Sequence, residues 1–443
     1  MKKIYLLSLG CPRNLLDSEI LLGLLVKKNF IIVEEPEQAD IAIVNTCGFI
    51  QDAKEEAIDA ILQLARFKKE GKISKLVVTG CLSQRYPEEL TQEIEEIDAI
   101  FGSSDITRIP DVLDTLSTGI KHKEVSPEPD FLYDHTYARE LLTPPHFAYV
   151  KIQEGCSNNC SYCVIPRLKG SCRSRTIDSV LEEVKKLRAD RDIKEAVLIG
   201  QDTTSFGIDR VGKSELADLL RKVSHVMEGG WVRLLYTHPV HFTDELIDVI
   251  ASTDNICKYI DLPIQHISDK MLRVMNRKTT RDSIIDLIGR IRAGIKDVTL
   301  RTSIIVGFPD ETDRDFRELL DFLEETRFER LGAFIYSREE GTPAADFEDQ
   351  VSPGVKKDRF DTVMKLQQMI SENLNFRYFH KTVKTLVDES DPSDPERFTG
   401  RGQMDAPEVD GVIFINGKGL KPGEFVDVRI TGTMEYDLTG EAV

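Results

Sequence analysis

Short apolar runs alternate with amphipathic segments along the first 120 residues. The runs have the length of strands, whereas the segments between them repeat apolar residues at helical spacing. The clearest strand patterns are KIYLLSL, ADIAIVNT and KLVVTG, and the clearest helical patterns are LLDSEILLGLLVKK and DAKEEAIDAILQLARF. Because parallel strands need long crossover connections, usually helices, this alternation predicts a parallel sheet. We therefore predict an N-terminal α/β domain over residues 1–120.

The same alternation returns six times between residues 146 and 372. Right-handed strand–helix units of this kind curl into a full or partial barrel whose active groups lie at the carboxyl ends of the strands. Six units rather than eight predict an open (β/α)6 barrel with a lateral mouth. The predicted strands are HFAYVKI, EAVLIG, VRLLYT, KYIDLPI, TLRTSIIVGF and RLGAFIY. The polar, proline-bearing segment before them, residues 121–145, shows no period and predicts a linker.

The pattern changes again after residue 376. Short β-rich runs alternate with turn signals such as INGKG and LKPGE, which predicts a small antiparallel β-barrel over residues 376–443. The expected fold class is therefore α/β, with an N-terminal parallel-sheet domain, a central open barrel and a C-terminal β-barrel.

Composition narrows the class of protein. The chain has 443 residues, 41% of them hydrophobic and 30% charged, and a formal charge of −18, which predicts a soluble globular protein. Eight cysteines are too sparse for a disulfide scaffold and are more typical of metal binding or catalysis. No apolar run approaches the length of a membrane span, and MKKIYLLSLGC predicts a buried strand rather than a secretion signal. We expect a cytoplasmic protein without general affinity for nucleic acid.

The most informative motif is GCSNNCSYC, which follows the first barrel strand. It holds Cys156, Cys160 and Cys163, called here the loop triad, at C-x3-C-x2-C spacing. Three thiolates at this spacing can bind three irons of a [4Fe–4S] cluster and leave the fourth iron open to a small molecule. A zinc site is the alternative, with Cys172 as a fourth ligand, although zinc sites usually contain C-x2-C pairs.

Three other cysteines each follow a predicted strand of the N-terminal domain. They are Cys11 in SLGCPRN, Cys47 in NTCGFI and Cys81 in TGCLSQ, called here the N-terminal triad. Because ligands bind beyond the carboxyl ends of parallel strands, we expect these dispersed thiols to converge on a second cluster site. The alternative is that each cysteine is a small buried hydrophobic residue.

The loop triad, with Tyr162 before its last cysteine, resembles the radical S-adenosylmethionine superfamily. That resemblance implies that S-adenosylmethionine binds at the open iron and is contacted by residues at the ends of the barrel strands. The candidate contacts are Gly200, Gln201, Asp202, Arg301 and Ser303. The guanidinium of Arg301 suits the carboxylate of the ligand because it can bind a carboxylate through two hydrogen bonds.

Gln265 and His266 end the fourth barrel strand in LPIQHIS. A position at a strand end suggests a role in the substrate cavity. The alternative for a lone histidine is a structural role with its hydrogen bonds satisfied inside the protein.

The whole chain resembles the methylthiotransferases, which combine an N-terminal domain with three dispersed cysteines, a C-x3-C-x2-C barrel and a C-terminal β domain of the TRAM type. The resemblance implies two [4Fe–4S] clusters and insertion of a methylthio group at an unactivated C–H bond. SLGCPRN, QDTTSFG and LRTSIIVGFPDET resemble the branch that modifies an aspartate of small-subunit ribosomal protein twelve, with Arg13 in place of the usual lysine. The transfer-RNA branch, which modifies isopentenylated adenosine and tends to have Gln in place of Pro12, is the alternative. A non-enzymatic electron carrier is a third possibility, but it would need four cysteines at each cluster.

The resemblance also implies a division of labour. Reductive cleavage of S-adenosylmethionine at the loop triad would give a 5′-deoxyadenosyl radical that takes hydrogen from the aspartate β-carbon, while the cluster of the N-terminal triad would hold the sulfur. Such chemistry needs a cofactor, because an alkyl C–H is too weak an acid for a side-chain base near neutral pH. The expected partners are ribosomal protein twelve, free or in the assembled subunit, and a reductant such as flavodoxin or ferredoxin.

Charge bears on the choice between the two branches. From Arg377 to Val443 there are 8 Lys and Arg against 13 Asp and Glu, a net charge of −5. We therefore do not expect direct RNA binding by the C-terminal domain, since phosphates favour basic surfaces, whereas an acidic surface suits a basic ribosomal protein. The stretch ESDPSDPE either lies near that docking surface or forms a solvated loop.

Overall fold

A computed structural model describes residues 1–116 and 120–443. Within that part of the chain, the N-terminal domain contains a six-stranded sheet in the order β2-β1-β3-β4-β5-β6, with every neighbouring pair parallel. Its strands are β1 (Lys3–Ser8), β2 (Ile31–Val33), β3 (Ile41–Thr46), β4 (Lys75–Gly80), β5 (Ala99–Phe101) and β6 (His122–Glu124). Its helices are α1 (Pro12–Lys27), α2 (Gln51–Lys69), α3 (Cys81–Arg85), α4 (Pro87–Glu93) and α5 (Ile109–Leu113).

Strand β6 differs from the sequence-based expectation, because it lies inside the segment predicted as a linker. It pairs with β5 at the edge of the sheet, with His122 opposite Ala99. An edge strand of three residues needs no buried face, so its polar sequence HKE carries no alternating pattern. Residues 125–143 beyond it contain no helix or strand.

The central domain contains six parallel strands in two groups, β7-β10-β11 and β12-β13-β14. A bridge between Val232 and Ile256 joins the groups, and this order confirms the open (β/α)6 barrel. The strands are β7 (Phe147–Lys151), β8 (Gln153–Glu154), β9 (Arg173–Ser174), β10 (Glu195–Ile199), β11 (Trp231–Leu234), β12 (Tyr259–Asp261), β13 (Thr299–Val306) and β14 (Arg330–Ile335), of which β8 and β9 form a separate short hairpin-like pair.

Helices cover the outer face of the barrel. They are α7 (Ile177–Arg191), α8 (Ile208–Val211), α9 (Leu216–Val226), α10 (Asp244–Ser252), α11 (Asp269–Val274), α12 (Arg281–Gly294), α13 (Asp313–Thr326) and α14 (Pro353–Asn375). The short helix α6 (Ile165–Lys169) instead contacts α3 of the N-terminal domain. Threonine side chains cap several of them; Thr280 and Thr312, for example, form capping boxes at the starts of α12 and α13. Helix α14 packs on β14 and had not been predicted, because polar residues such as Arg359 and Gln367 occupy its buried face.

The C-terminal domain is a closed five-stranded barrel in the order β15-β16-β17-β19-β18. Its strands are β15 (Thr382–Ser390), β16 (Arg397–Arg401), β17 (Ile413–Asn416), β18 (Phe425–Thr433) and β19 (Leu438–Ala442). The predicted barrel is confirmed, with one difference: β17 and β19 pair in parallel, so the barrel is not wholly antiparallel. In the described residues no helix has both the length and the apolar character needed to span a membrane.

One apolar cluster joins all three domains. It includes Leu16 and Ile20 of α1, Tyr149 of β7, and Leu386 and Ala406 of the C-terminal domain, each buried. Burial of this shared surface holds the domains in fixed contact, because each would expose apolar area if it separated from the others.

Buried charges reinforce the contact between the barrel and the C-terminal domain. Glu195 at the start of β10 accepts hydrogen bonds from Arg233 at 2.6 Å and from Arg401 of β16 at 2.7 Å. Arg401 also donates to Asp388 at 2.8 Å, and Asp388 lies 2.8 Å from the imidazole of His146. Asp388, directly before the acidic stretch ESDPSDPE, therefore belongs to this interface, whereas Glu389 and Glu396 of the stretch are exposed.

We predict that Arg401→Met lowers the free energy of unfolding of the metal-free protein by about 3–5 kcal/mol, because it leaves buried Glu195 and Asp388 with fewer partners. Urea denaturation measures the change. Arg397→Met is the matched control, since Arg397 pairs with Asp394 at the surface and its loss should change stability by less than about 1 kcal/mol. Equal effects of the two substitutions would contradict the structural role of Arg401.

Candidate active site

Three neighbouring strands bring the N-terminal triad together. Cys11 caps the start of α1 just after β1, Cys47 directly follows β3, and Cys81 begins α3 at the end of β4. Strands β1, β3 and β4 are adjacent and parallel, so their carboxyl ends share one edge of the sheet. The convergence expected from the sequence therefore follows from the strand order.

Two glycines allow the cysteine-bearing turns to approach one another closely. Gly10 has φ +91°, and a Cβ at that position would lie 2.7 Å from the Cβ of Cys47. Gly80 has φ +103°, and its Cβ would lie 2.5 Å from the carbonyl oxygen of Thr46. Any other residue would be strained at both positions and would push the turns apart.

The loop triad lies between β8 and α6, at the carboxyl end of the first barrel strand. Hydrogen bonds fix the loop: the amide of Cys156 donates to the Gly170 carbonyl at 3.1 Å, and the amide of Ser161 donates to the Met275 carbonyl at 3.0 Å. The loop is thus held by the residue that follows α6 and by the residue that follows α11.

Both triads line a single cavity of about 280 Å³ at the junction of the N-terminal domain and the barrel. All six thiols therefore face one space, although they come from two domains and are separated by up to 152 residues in the chain. Cys172 lies elsewhere, with its Sγ 3.7 Å from the Oγ of Ser205, so it does not join the loop triad as a fourth ligand in this arrangement. Cys257 is buried in the core shared by the domains.

Burial and charge shift the pKa values of the thiols in opposite directions. Burial raises the pKa of Cys81 to about 12, opposed by Lys169 and reinforced by the nearby Cys47. Burial, reinforced by Cys160, likewise raises the pKa of Cys163 to about 12. At Cys11 the effect of burial is outweighed by the charge and hydrogen bond of Arg13, so its pKa is lowered.

The donor set fits two iron–sulfur clusters. Thiolate sulfur is the soft ligand that such clusters take, and each domain contributes three cysteines to the same cavity. Each triad also receives an arginine N–H at one of its sulfur atoms, Arg13 at Cys11 and Arg277 at Cys160. Hydrogen-bond donors aimed at sulfur favour the thiolate form that metal binding requires.

A buried ionic network lies beside the cavity. Asp17 of α1 accepts from Lys169 of α6 at 2.8 Å and from Lys151 of β7, and Lys151 also contacts Glu154 at 2.6 Å. The charges of Lys151 and Lys169 outweigh burial and lower the pKa of Glu154 to about 2. Gln201 donates to Glu154, which ties the network to the end of the second barrel strand.

The residues predicted to contact S-adenosylmethionine do not all lie in the same cavity. Gln201 lines the six-thiol cavity, whereas Gly200 contributes its carbonyl to Arg13 at 3.1 Å. The Asp202 carboxylate accepts from the side chain of Asn158, within the cysteine loop, at 2.7 Å. Arg301 lies in a separate cleft.

Arg301 is occupied by protein carboxylates. Its Nη1 lies 2.8 Å from Asp261 and its Nε 3.6 Å from Asp410 of the C-terminal domain. Ser303, two residues along β13, lines a cavity that adjoins the six-thiol cavity. The structure thus brings Gln201 into the six-thiol cavity and Ser303 beside it. Arg301 lines neither cavity, although its Nη1 also donates to the hydroxyl of Ser303 at 3.4 Å.

Gln265 and His266 are adjacent in the sequence but lie in different surroundings. Gln265 has φ +71° and lines the six-thiol cavity. His266 is fully buried, and its Nδ1 accepts from the amides of Ile267 and Ser268 at 2.9 and 3.0 Å. Burial lowers the pKa of His266 to about 3, so it is a neutral structural residue that fixes the turn before α11.

Several cavity residues were not predicted from the sequence. Tyr236 has φ +60° and its ring lies 4.4 Å from the guanidinium carbon of Arg13. His238 and Arg277 also line the cavity. Tyr236 and Arg277 belong to no short motif of metal-binding residues, so only contacts between distant segments reveal them. His238 does have a local signal, because it stands three residues before His241 and the two histidines lie close to Asp202.

An apolar opening of about 230 Å³ adjoins the six-thiol cavity. The two share walls formed by Phe49, Tyr162 and Pro263 together with Gln265. Phe334 and Ile335 of β14 line the outer part of the opening and are 47% and 43% exposed. This opening is called here the mouth. Its wall includes Phe49, two residues after Cys47, and Tyr162, directly before Cys163.

Comparison with known families assigns each domain. Residues 3–102 match Uncharacterized protein family UPF0004, residues 150–323 match the Radical SAM superfamily, and residues 381–443 match the TRAM domain. The fold is also similar to that of the radical S-adenosylmethionine methyltransferase TsrM from Kitasatospora setae, with a TM-score of 0.54, 15% sequence identity and 77% of each chain covered. At that identity the likeness concerns the fold alone.

Full-length relatives are much more similar. The ribosomal protein uS12 methylthiotransferase RimO of Clostridioides difficile is 48% identical, with 100% of this chain and 99% of the relative covered. The protein of the same name from Heliobacterium modesticaldum is 47% identical, with 100% and 95% covered. These matches confirm the methylthiotransferase resemblance and favour the ribosomal-protein branch over the transfer-RNA branch. The chain belongs to the ribosomal protein uS12 methylthiotransferase family.

Proposed function

We propose that this chain inserts a methylthio group at the β-carbon of an aspartate in ribosomal protein uS12, using S-adenosylmethionine and two [4Fe–4S] clusters. The observation that carries the proposal is the single cavity lined by both cysteine triads. Membership of the radical superfamily implies one cluster and S-adenosylmethionine; the second triad, facing the same space, supports a second cluster.

The loop triad would hold one cluster and the N-terminal triad the other. When bound, the groups supply one-electron and sulfur chemistry that can functionalise an alkyl C–H bond, which no side-chain base can deprotonate near neutral pH. The protein supplies position and seclusion. Asn158 and Asp202 hold the cysteine loop, while Gly10 and Gly80 let the N-terminal turns reach it.

The structure supports the proposed S-adenosylmethionine contacts to different degrees. Gln201 is the best supported, because it lines the cavity beside the loop triad. We assign Gly200 and Asp202 to shaping the same strand end, since neither lines the cavity and both are bonded to protein groups. Ser303 borders the cavity from the adjoining mouth, and Arg301 would act indirectly, through its ion pair with Asp261 at the end of β12.

The wider assignments follow from the same proposal. We assign residues 1–120 to sulfur-group binding, 146–372 to the radical step and 376–443 to a supporting TRAM-type domain. Residues 121–145 join the first two, and their first part, β6, completes the N-terminal sheet. A cytoplasmic protein that meets uS12, free or in the ribosomal subunit, and receives electrons from a flavodoxin or ferredoxin fits this assignment. Direct RNA binding by the acidic C-terminal domain is not part of it.

The mouth is the route that we propose for the substrate. Its walls are shared with the six-thiol cavity, and its outer rim is apolar and exposed at Phe334 and Ile335. A side chain entering there passes between Phe49, next to the N-terminal triad, and Tyr162, within the loop triad. This position suits a carbon atom that must meet groups held by both triads.

We predict that the two triads have separable roles. Replacing the loop triad by alanine should leave about four irons per chain and abolish formation of 5′-deoxyadenosine from S-adenosylmethionine. Replacing the N-terminal triad should also leave about four irons but retain 5′-deoxyadenosine and abolish methylthio transfer. Iron analysis after anaerobic reconstitution and product chromatography measure these outcomes.

Cys172→Ala is the control for loss of a thiol, because Cys172 lies outside the cavity; it should retain about eight irons per chain. Cleavage of S-adenosylmethionine by the variant without the loop triad, or methylthio transfer by the variant without the N-terminal triad, would refute the division of roles.

We predict that the reconstituted enzyme modifies purified uS12 and not isopentenylated transfer RNA. The exposed acidic residues of the C-terminal domain repel phosphates and attract a basic protein. Mass spectrometry of the two substrates, incubated separately, should show one methylthio group on a uS12 aspartate. Modification of the RNA alone would overturn the substrate assignment.

We predict that Phe334→Ser raises the KM for uS12 about tenfold, because an exposed phenyl ring that becomes buried on binding contributes roughly 1.5–3 kcal/mol. Initial rates at varied uS12 concentration measure the effect. Phe376→Ser is the matched control, since Phe376 is 65% exposed and lies outside the mouth. A KM that rises in both variants, or in neither, would exclude the mouth as the docking route.

A further inference from the structure

Two arginines, the half-buried Arg13 and the buried Arg277, reach the two triads in the same manner. The Nε of Arg13 donates to the Sγ of Cys11 at 3.5 Å, and the Nη1 of Arg277 donates to the Sγ of Cys160 at 3.6 Å. Both distances lie within hydrogen-bonding range for sulfur, and both arginines line the six-thiol cavity. Each triad therefore has one cationic N–H donor directed at one of its sulfur atoms.

The surrounding protein holds each guanidinium in place. Arg13 donates from Nη1 to the Gly200 carbonyl at 3.1 Å and stacks on the ring of Tyr236. Arg277 donates from Nη2 to the Pro263 carbonyl at 2.6 Å and is only 8% exposed. These anchors use part of each planar donor fork and leave another N–H for sulfur, which a single ammonium group on a flexible stem would do less well.

Carboxylates do not neutralise these two charges directly. Among the described residues, neither Arg13 nor Arg277 has a carboxylate oxygen within the 4.0 Å of an ion pair. In addition, the buried Nε of Arg277 has no hydrogen-bond partner in the described structure. Glu154 acts on Arg13, and Asp202 on Arg277, only from beyond ion-pair distance, so an anionic group in the cavity would be the nearest compensating charge for each.

We propose that Arg277 and Arg13 each raise the reduction potential of the cluster bound by their own triad. Hydrogen bonds to ligand sulfur and nearby positive charge stabilise the more negative, reduced form of an iron–sulfur cluster. Uptake of one electron from an external one-electron reductant is then easier at each site. The inference rests on the proposed function, since it requires a cluster at each triad, and it makes the two arginines tuning residues rather than catalytic ones.

The arrangement also explains why an arginine is suited to position 13. Its guanidinium spans two domains, because Cys11 belongs to the N-terminal domain and Gly200 ends a barrel strand. The lysine that is usual in the related motif could donate to sulfur or to the carbonyl but has no planar fork to satisfy both in this geometry. Arg13→Lys should therefore keep the charge and weaken the hydrogen bond.

The experiment compares each arginine at both clusters. Arg277→Met and Arg13→Met are each introduced into two full-length backgrounds, one lacking the loop triad and one lacking the N-terminal triad, so that a single cluster is observed. Anaerobic redox titration followed by electron paramagnetic resonance gives the midpoint potential. Arg277→Met should lower the potential of the loop-triad cluster alone, whereas Arg13→Met should lower that of the N-terminal cluster by more than that of the loop-triad cluster, because the charge of Arg13 also acts on Cys163.

Further variants separate tuning from misfolding. Arg277→Lys and Arg13→Lys should give smaller drops in the same direction, and they decide the question if a methionine variant binds no iron. Arg173→Met is the control for loss of charge near the cysteine loop, because Arg173 donates to the carbonyls of Ser171 and Lys169 and not to a cysteine; it should leave both potentials unchanged.

The possible failures are distinguishable. Iron content near four per single-triad background supports the proposed function independently of any potential. With iron bound, an unchanged potential in the lysine and methionine variants, or equal shifts at both clusters, would overturn the tuning role while leaving the methylthiotransferase proposal intact. Background proteins that bind no iron would instead refute the two-cluster proposal on which the inference rests.

Discussion

The candidate active site depends on one buried carboxylate, Asp17. Its side chain is almost fully buried in α1 of the N-terminal domain, yet its partners Lys151 and Lys169 both belong to the barrel. Removing the carboxylate would leave two buried lysines competing for Glu154, a change of the kind that costs about 3–5 kcal/mol. Because α1 begins at Cys11 and α6 follows Cys163, the position of Asp17 also determines how the two triads face each other.

Strand topology explains why the cysteines could be assigned from sequence. A parallel sheet places the ends of β1, β3 and β4 side by side, so cysteines that follow them must be close whatever the intervening sequence. The loop triad follows a barrel strand for the same reason. That both triads line a single cavity could not be predicted, because it depends on the packing of one domain against another, to which Asp17 and the apolar residue Leu16 contribute.

The same distinction between local pattern and tertiary contact applies to the rest of the barrel. Periodic apolar patterns located the six barrel strands. The ion pairs of Arg301 with Asp261 and Asp410 join residues that are distant in the sequence and could not be predicted from it, and the contact of Arg301 with a ligand carboxylate stays a prediction. His266 was ambiguous for the same reason, since only its contacts with backbone amides show a structural role. Residues at strand ends are predictable as a group, whereas the direction in which each side chain points depends on tertiary contacts.

The acidic residues of the C-terminal domain fall into two groups, those paired in the interface with the barrel and those exposed to solvent. The sequence alone does not distinguish the two groups. Arg301 pairs with Asp410 and Arg330 with Asp405, so part of the negative charge of this domain is used to dock it on the barrel. Glu389 and Glu396 remain exposed. Since paired buried charges contribute little field outside the protein, only the exposed acids can steer a partner. The repulsion of RNA and attraction of a basic protein therefore rest on a smaller charge than the count of −5 for the domain. They act through its exposed acids, which include Glu408, Asp427, Glu435 and Glu441 as well as these two glutamates.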